Sequence, residues 1–135
     1  MPFVIDASVV VAWALGEDDD RAREARERLR RDGALVPSLW WFEVRNALVQ
    51  NERRGRLTEP GTARFLHELS LLAVSPDRAP DEITLLTLTR RHGLTVYDAA
   101  YLEVAVRQGL PLATLDAALA RAAQAEQVPL VGAVV

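Results

Sequence analysis

Four carboxylates in this chain occupy places where a carboxylate needs a reason. Asp6 interrupts the apolar run "FVIDASVVVAW" (3–13), and Glu43 is set among large apolar groups in "SLWWFEV". Asp98 opens a helical pattern in "LTVYDAAYLEVA", and Asp116 follows the apolar stretch in "PLATLD". Each has an ordinary reading. Asp6 and Asp116 could cap helices, Thr95 and Asp98 have capping-box spacing, and Glu43 could favour a helix N-terminus through the macrodipole. Their chemistry as a group is different. Carboxylates brought to one place repel one another, and in an empty site at least one should hold a proton. A hard divalent cation such as Mg²⁺ or Mn²⁺ resolves the repulsion, because it takes oxygen ligands and keeps waters for substrate phosphates. Neither histidine competes as a ligand: His67 and His92 read as surface or cap residues.

The elements that must position the four are short strands alternating with helices. Phe3 to Asp6, Leu35 to Pro37, Ala73–Val74, Pro111 to Thr114 and Val128 to Val131 read as five strands. Between them the spacing predicts helices over a segment starting near Ser8, then Asp20 to Arg31, Leu39 to Arg54, Glu59 to Leu72, Asp81 to His92, Tyr97 to Gln108 and Asp116 to Glu126. Gly33, Gly55, Gly93 and Gly109 stand where helices should stop. On the helix from Leu39, the residues Leu39, Phe42, Asn46, Ala47 and Val49 group on one side. Strands separated by helices require crossover connections, hence a parallel sheet covered on both faces. The expected architecture is a three-layer α/β/α sandwich with a short central parallel sheet of about five strands. Ligands bind such sheets beyond the carboxyl ends of the strands. All four carboxylates fall at or near that edge.

A chain of 135 residues is long enough for one domain with a real core, here expected to span 1–135. The absence of cysteine excludes disulfides, zinc–thiolate sites and thiol chemistry. All 16 basic residues are arginine, which removes every chemistry that needs a lysine. The formal net charge of −3 argues against coating nucleic acid by bulk electrostatics, though not against a local basic groove. No signal peptide or membrane-length apolar segment is evident, so a cytoplasmic protein is expected.

At the four carboxylates the sequence resembles the PIN-domain ribonucleases, particularly the VapC toxins of bacterial toxin–antitoxin pairs. "FVIDASVVVAWAL" is similar to that family's opening strand and Asp-x-Ser/Thr motif, and "VPSLWWFEVRNAL" to the segment carrying its helix glutamate. "LTVYDAAYLEVAVRQGLPLATLDAAL" resembles its third and fourth acidic motifs. The likeness runs from Phe3 to Val131, although the stretch between Gly55 and Pro80 carries no motif. The resemblance implies a PIN-like fold and metal-dependent hydrolysis of RNA phosphodiester bonds, with Mg²⁺ as cofactor and Mn²⁺ able to substitute. By it, Asp6, Glu43, Asp98 and Asp116 are the acidic metal-binding quartet, and Ser8 and Thr114 are supporting hydroxyls. Glu43 is open between ligand and general base, and the number of ions between one and two. For Ser8 and Thr114 a local bond at a turn is an equal alternative.

Partners implied by the same resemblance are an RNA substrate and an antitoxin protein, and a second copy of the chain is expected from the apolar surface. The segment from Leu39 to Leu72 offers more apolar surface than a thin sheet needs, consistent with a homodimer contact and an antitoxin peptide. Arg53, Arg54, Arg56, Arg90 and Arg91 could contact phosphate, but solvated helix ends explain them better. Trp13 and at least one of Trp40 and Trp41 are expected in the core. Two other classes compete. A phospho-accepting receiver domain would want a lysine, which is lacking. A PIN-like domain kept only for protein binding would have no use for an intact quartet.

Overall fold

The computed structural model describes residues 1–132. The chain opens with β1 (Phe3–Ile5), α1 (Ala7–Ala14), α2 (Asp20–Asp32) and β2 (Ala34–Val36). It continues through α3 (Leu39–Arg53), α4 (Glu59–Ser70), β3 (Val74–Pro76) and α5 (Glu82–His92). It closes with α6 (Val96–Gln108), β4 (Leu112–Ala113) and α7 (Ala117–Ala125). The strands pair in parallel in the order β3-β2-β1-β4. The chain therefore builds outward from β1 to β3, then crosses to the far side of β1 for β4. That reversal puts a topological switch point between β1 and β4, and all four carboxyl ends lie on one edge.

The architecture is the α/β class expected, with a four-stranded sheet in place of about five strands. The fifth is reduced to a single parallel bridge, Leu112 with Leu130. A strand pairs only where its backbone can lie beside another, and Pro129 has no N–H to donate. β3 also lies later than expected, ending at Pro76, with the Asp77 amide donating to the Val36 carbonyl.

Helices α1 to α4 pack with one another, as do α5 to α7, and the sheet meets α2 from one group and α6 from the other. Three residues of β1 are wholly buried, as a central parallel strand should be. Helix α6 is buried without a break from Ala99 to Ala105. It touches β1, β2 and β4 while α5 and α7 flank it.

The inward face of α3 differs from the one expected. Trp40, Val44, Leu48 and Asn51 are buried, whereas Phe42 and Val49 are exposed. In a helix with apolar residues on several sides, the face turned inward is chosen by its neighbours, here α1 and α4. Trp40 is core, Trp41 is exposed, and Trp13 is half-buried with its indole N–H donating to the Ala22 carbonyl at 2.7 Å. His92 is no free surface residue either: its Nε2 lies 2.6 Å from Glu126.

One buried charge is structural. Glu103 is fully buried in the middle of α6 and receives Nε and Nη2 of Arg107, one turn on, at 2.8 and 3.0 Å. It also accepts from the Asp81 amide at 3.1 Å, and Arg107 reaches across to Asp77. The network anchors both ends of the β3–α5 connection to α6. Removing one partner of a buried pair strands the other charge. Arg107→Ala, which leaves Glu103 and Asp77 without their cation, is expected to cost about 3 kcal/mol in urea unfolding.

Candidate metal centre

Asp6 follows β1 directly, and the strand end carries its carboxylate into the fold, where the residue is only 5% exposed. Its Oδ1 accepts from the Ser8 amide at 3.0 Å, the Val9 amide at 3.4 Å and the Ser8 hydroxyl. Its Oδ2 accepts from the Thr114 hydroxyl just beyond β4. The helix-cap reading of Asp6 is thus correct in geometry. The bond to Thr114, 108 residues away, is something a local cap would not need. Burial outweighs these four donors and pushes the Asp6 carboxyl up to about 6.

The two hydroxyls each do two things. Ser8 Oγ donates to Asp6 and accepts from the Leu115 amide at 3.0 Å. Thr114 Oγ1 donates to Asp6 and accepts from the Asp116 amide at 3.0 Å. Both residues therefore make local bonds and also join the end of β1 to the turn after β4. Asp116 itself is exposed and caps α7, accepting from the Leu119 amide at 2.8 Å.

Asp98 lies in the first turn of α6, where Thr95 Oγ1 caps its amide at 3.0 Å. Partial burial, followed by repulsion from Asp116, raises its carboxyl above the usual range. Glu43, on the second turn of α3, is raised likewise by burial and then by Asp98. Among the described residues none of the four enters an ion pair. They share the carboxyl edge at the switch point, and the repulsion of Asp98 with Asp116 and with Glu43 is uncompensated by any arginine ion pair among the described residues. They do not stand as a ready-made metal cage: among the described residues no three acidic or histidine side chains are so grouped. Ligation by three or more of them calls for side-chain rotation.

Tyr101 belongs to this cluster and was not expected there. It is buried, and its hydroxyl donates to Glu43 Oε1. Burial, and then Glu43, Asp6 and Asp98, hold the phenol protonated far above its usual range. The available signal was its place three residues after Asp98, hence on the same helix face. Of the arginines considered for RNA, Arg56 pairs with Glu17 at 3.6 Å and Arg91 with Glu126 at 2.8 Å.

Comparison with known proteins gives this edge a context. Residues 3–125 match the model of the PIN domain family. Ribonuclease VapC3 of Pyrobaculum aerophilum is 35% identical over 126 residues, covering 89% of this chain and 93% of the relative. Ribonuclease VapC3 of Mycobacterium tuberculosis is 35% identical over 119 residues, covering 88% and 85%. Exonuclease VapC9 of P. aerophilum is 35% identical over 115 residues, covering 84% and 80%. The crystal structure of PAE2754 from the same organism superposes with a TM-score of 0.69 at 26% identity, over 99% of this chain and 90% of that one.

The raised Asp6 carboxyl has a consequence for stability without metal. Its folded value of about 6 lies above the ordinary 3.8, so the folded chain holds a proton there that the unfolded chain releases. The contribution is fully present below the lower value and is lost as pH rises through the upper one. Glu43 and Asp98 are raised and act in the same sense. In EDTA, Asp6 is expected to cost the native state on the order of 2–3 kcal/mol between about pH 4 and pH 7.5. Asp6→Asn, which keeps an oxygen for the α1 cap, should flatten that part of the profile. Urea melts of both proteins across this range measure the difference, and parallel profiles would remove Asp6 as the source.

Proposed function

The chain belongs to the PIN domain family, and from that premise we propose that it is a metal-dependent endoribonuclease, the toxin of a toxin–antitoxin pair. The observation that carries the reading is the set of four carboxylates on the switch-point edge, without a cation among the described residues to balance them. Ribonuclease activity is what its VapC3 relatives are named for.

The donor set fits Mg²⁺, with Mn²⁺ as substitute: all oxygen, mutually repelling, with no cysteine and no histidine among them. Asp6, Asp98 and Asp116 would hold the ion, with Glu43 as a further ligand or as the base that takes a proton from the attacking water. When bound, the cation supplies charge stabilisation at the phosphate and an acidified water. The protein's own part is orientation. Ser8 and Thr114 hold the Asp6 carboxylate at the strand end, and the Tyr101 hydroxyl holds one oxygen of Glu43.

The antitoxin and a second copy of the chain are the expected protein partners. Trp41, Phe42 and Val49 on α3 and Leu71 just after α4 are exposed, which supports an apolar contact there. Trp40, Leu48 and Leu69 are spent in the core.

Purified protein is expected to cleave RNA in Mg²⁺ or Mn²⁺ and to stop in EDTA, with Asp98→Asn inactive. A circular RNA distinguishes the modes, since only an endonuclease opens it. Activity that persists in EDTA and in Asp98→Asn would overturn the reading. Tyr101→Phe should fold normally yet weaken Mn²⁺ binding about tenfold, as losing a partner of a metal ligand does. Titration calorimetry reads that loss independently of turnover.

A further inference from the structure

The edge of the sheet that carries the acidic residues also carries a cavity of about 400 Å³, between the start of α3, the β3–α5 connection and the start of α6. Such a volume lies within the range of about 300–1,000 Å³ usual for small-ligand pockets. Its inner wall is apolar, with Leu39, Leu85 and Val104, and the Tyr97 side chain lines it. We propose that this cavity is a nucleobase subsite, in which one unstacked base of the RNA substrate packs against the Tyr97 ring beside the scissile phosphate. The ligand class rests on the ribonuclease reading above.

Three features set a base apart from an arbitrary apolar occupant. Tyr97 directly precedes Asp98 in the first turn of α6 and is 64% exposed, so the turn that carries Asp98 also presents an aromatic ring to solvent. Ser38 lines the cavity at the N-cap position of α3 but makes no capping bond, so its hydroxyl is available to a base edge. Arg78, also in the lining, enters no ion pair among the described residues and is available to a flanking phosphate. The other charge there, Asp77, is already engaged by Arg107 and Gln108. An aromatic ring with a free hydroxyl and a guanidinium is the set by which proteins take unstacked RNA bases.

The cavity is also held in shape before any ligand arrives. Glu103 fixes the Asp81 amide, and Arg107 fixes Asp77, so the wall from Asp77 to Pro80 is secured at both ends from beneath. A wall held in this way spares the ordering cost that binding would otherwise carry.

The test is binding of a single-stranded oligoribonucleotide containing 2-aminopurine, in Ca²⁺, so that affinity is read without turnover. Wild type is expected to quench the fluorescent base, Tyr97→Ala to bind about tenfold more weakly with the quench lost, and Tyr97→Phe to restore both. In Mg²⁺, the alanine variant should raise KM or shift the cleaved position more than it lowers kcat. Its melting temperature and its stabilisation by Mn²⁺ should match wild type, which separates a subsite from a folding defect. If Tyr97→Ala binds and cleaves as wild type does, the subsite is overturned while the nuclease reading stands. If wild type binds and quenches but cleaves nothing, the nuclease reading falls and the base site stands. If Tyr97→Ala changes only the sedimenting species, the cavity is a protein contact and the proposal is overturned.

Discussion

The constraint on which the site depends is the burial of one carboxylate at the end of the central strand. Asp6 leaves water because β1 is covered on both faces, and that transfer is costly unless hydrogen bonds or a cation oppose it. Its partners come from two places: the first turn of α1, with the Ser8 and Val9 amides and the Ser8 hydroxyl, and the turn after β4, with the Thr114 hydroxyl. Because Ser8 and Thr114 also receive the amides of Leu115 and Asp116, the bonds that satisfy Asp6 set the path of the chain into α7. The Leu115 amide is fixed from the β1 side of the switch point by Ser8, and the Asp116 amide from its own side by Thr114, and both hydroxyls also donate to Asp6.

Helix α6 carries the complementary half of the arrangement. On one face it brings Asp98 and, one turn on, Tyr101 to meet Glu43 from α3. On another it buries Glu103 against Arg107 and so secures the connection before α5. The helix serves two purposes with opposite electrostatics. Its structural charge, Glu103, is matched by a cation of the chain, whereas its cluster carboxylate, Asp98, is left without one among the described residues. Such unbalanced sites lower stability where binding later raises it, a common relation between function and fold.

The overall charge agrees with this division. A net charge of −3 offers RNA no general attraction, and the acidic edge repels it outright. A cation held at the edge, as proposed above, and local arginines would offset that repulsion. An aromatic face beside the cluster would add contact that does not depend on charge.

Much of this was legible in the chain itself. Element order, the helix stops at Gly33, Gly93 and Gly109, the parallel layered architecture and the placement of Asp6, Glu43, Asp98 and Asp116 on one edge follow from periodicity, capping residues and crossover rules, which are local or nearly so. The sequence also determined what the site could be made of, since a chain without cysteine or lysine has oxygen donors and arginine to work with. Tertiary structure alone decided which face of α3 turns inward, because Trp40, Trp41 and Phe42 are all apolar and only packing distinguishes them. It reduced the last strand to one bridge, moved β3 toward Pro76 and joined Glu103 to Asp81. It also brought the Tyr101 hydroxyl to Glu43, 58 residues earlier in the chain. The physical reason is the same in each case: a helix segment apolar on every side carries no direction of its own, and a side-chain hydrogen bond between distant elements leaves no period in the sequence.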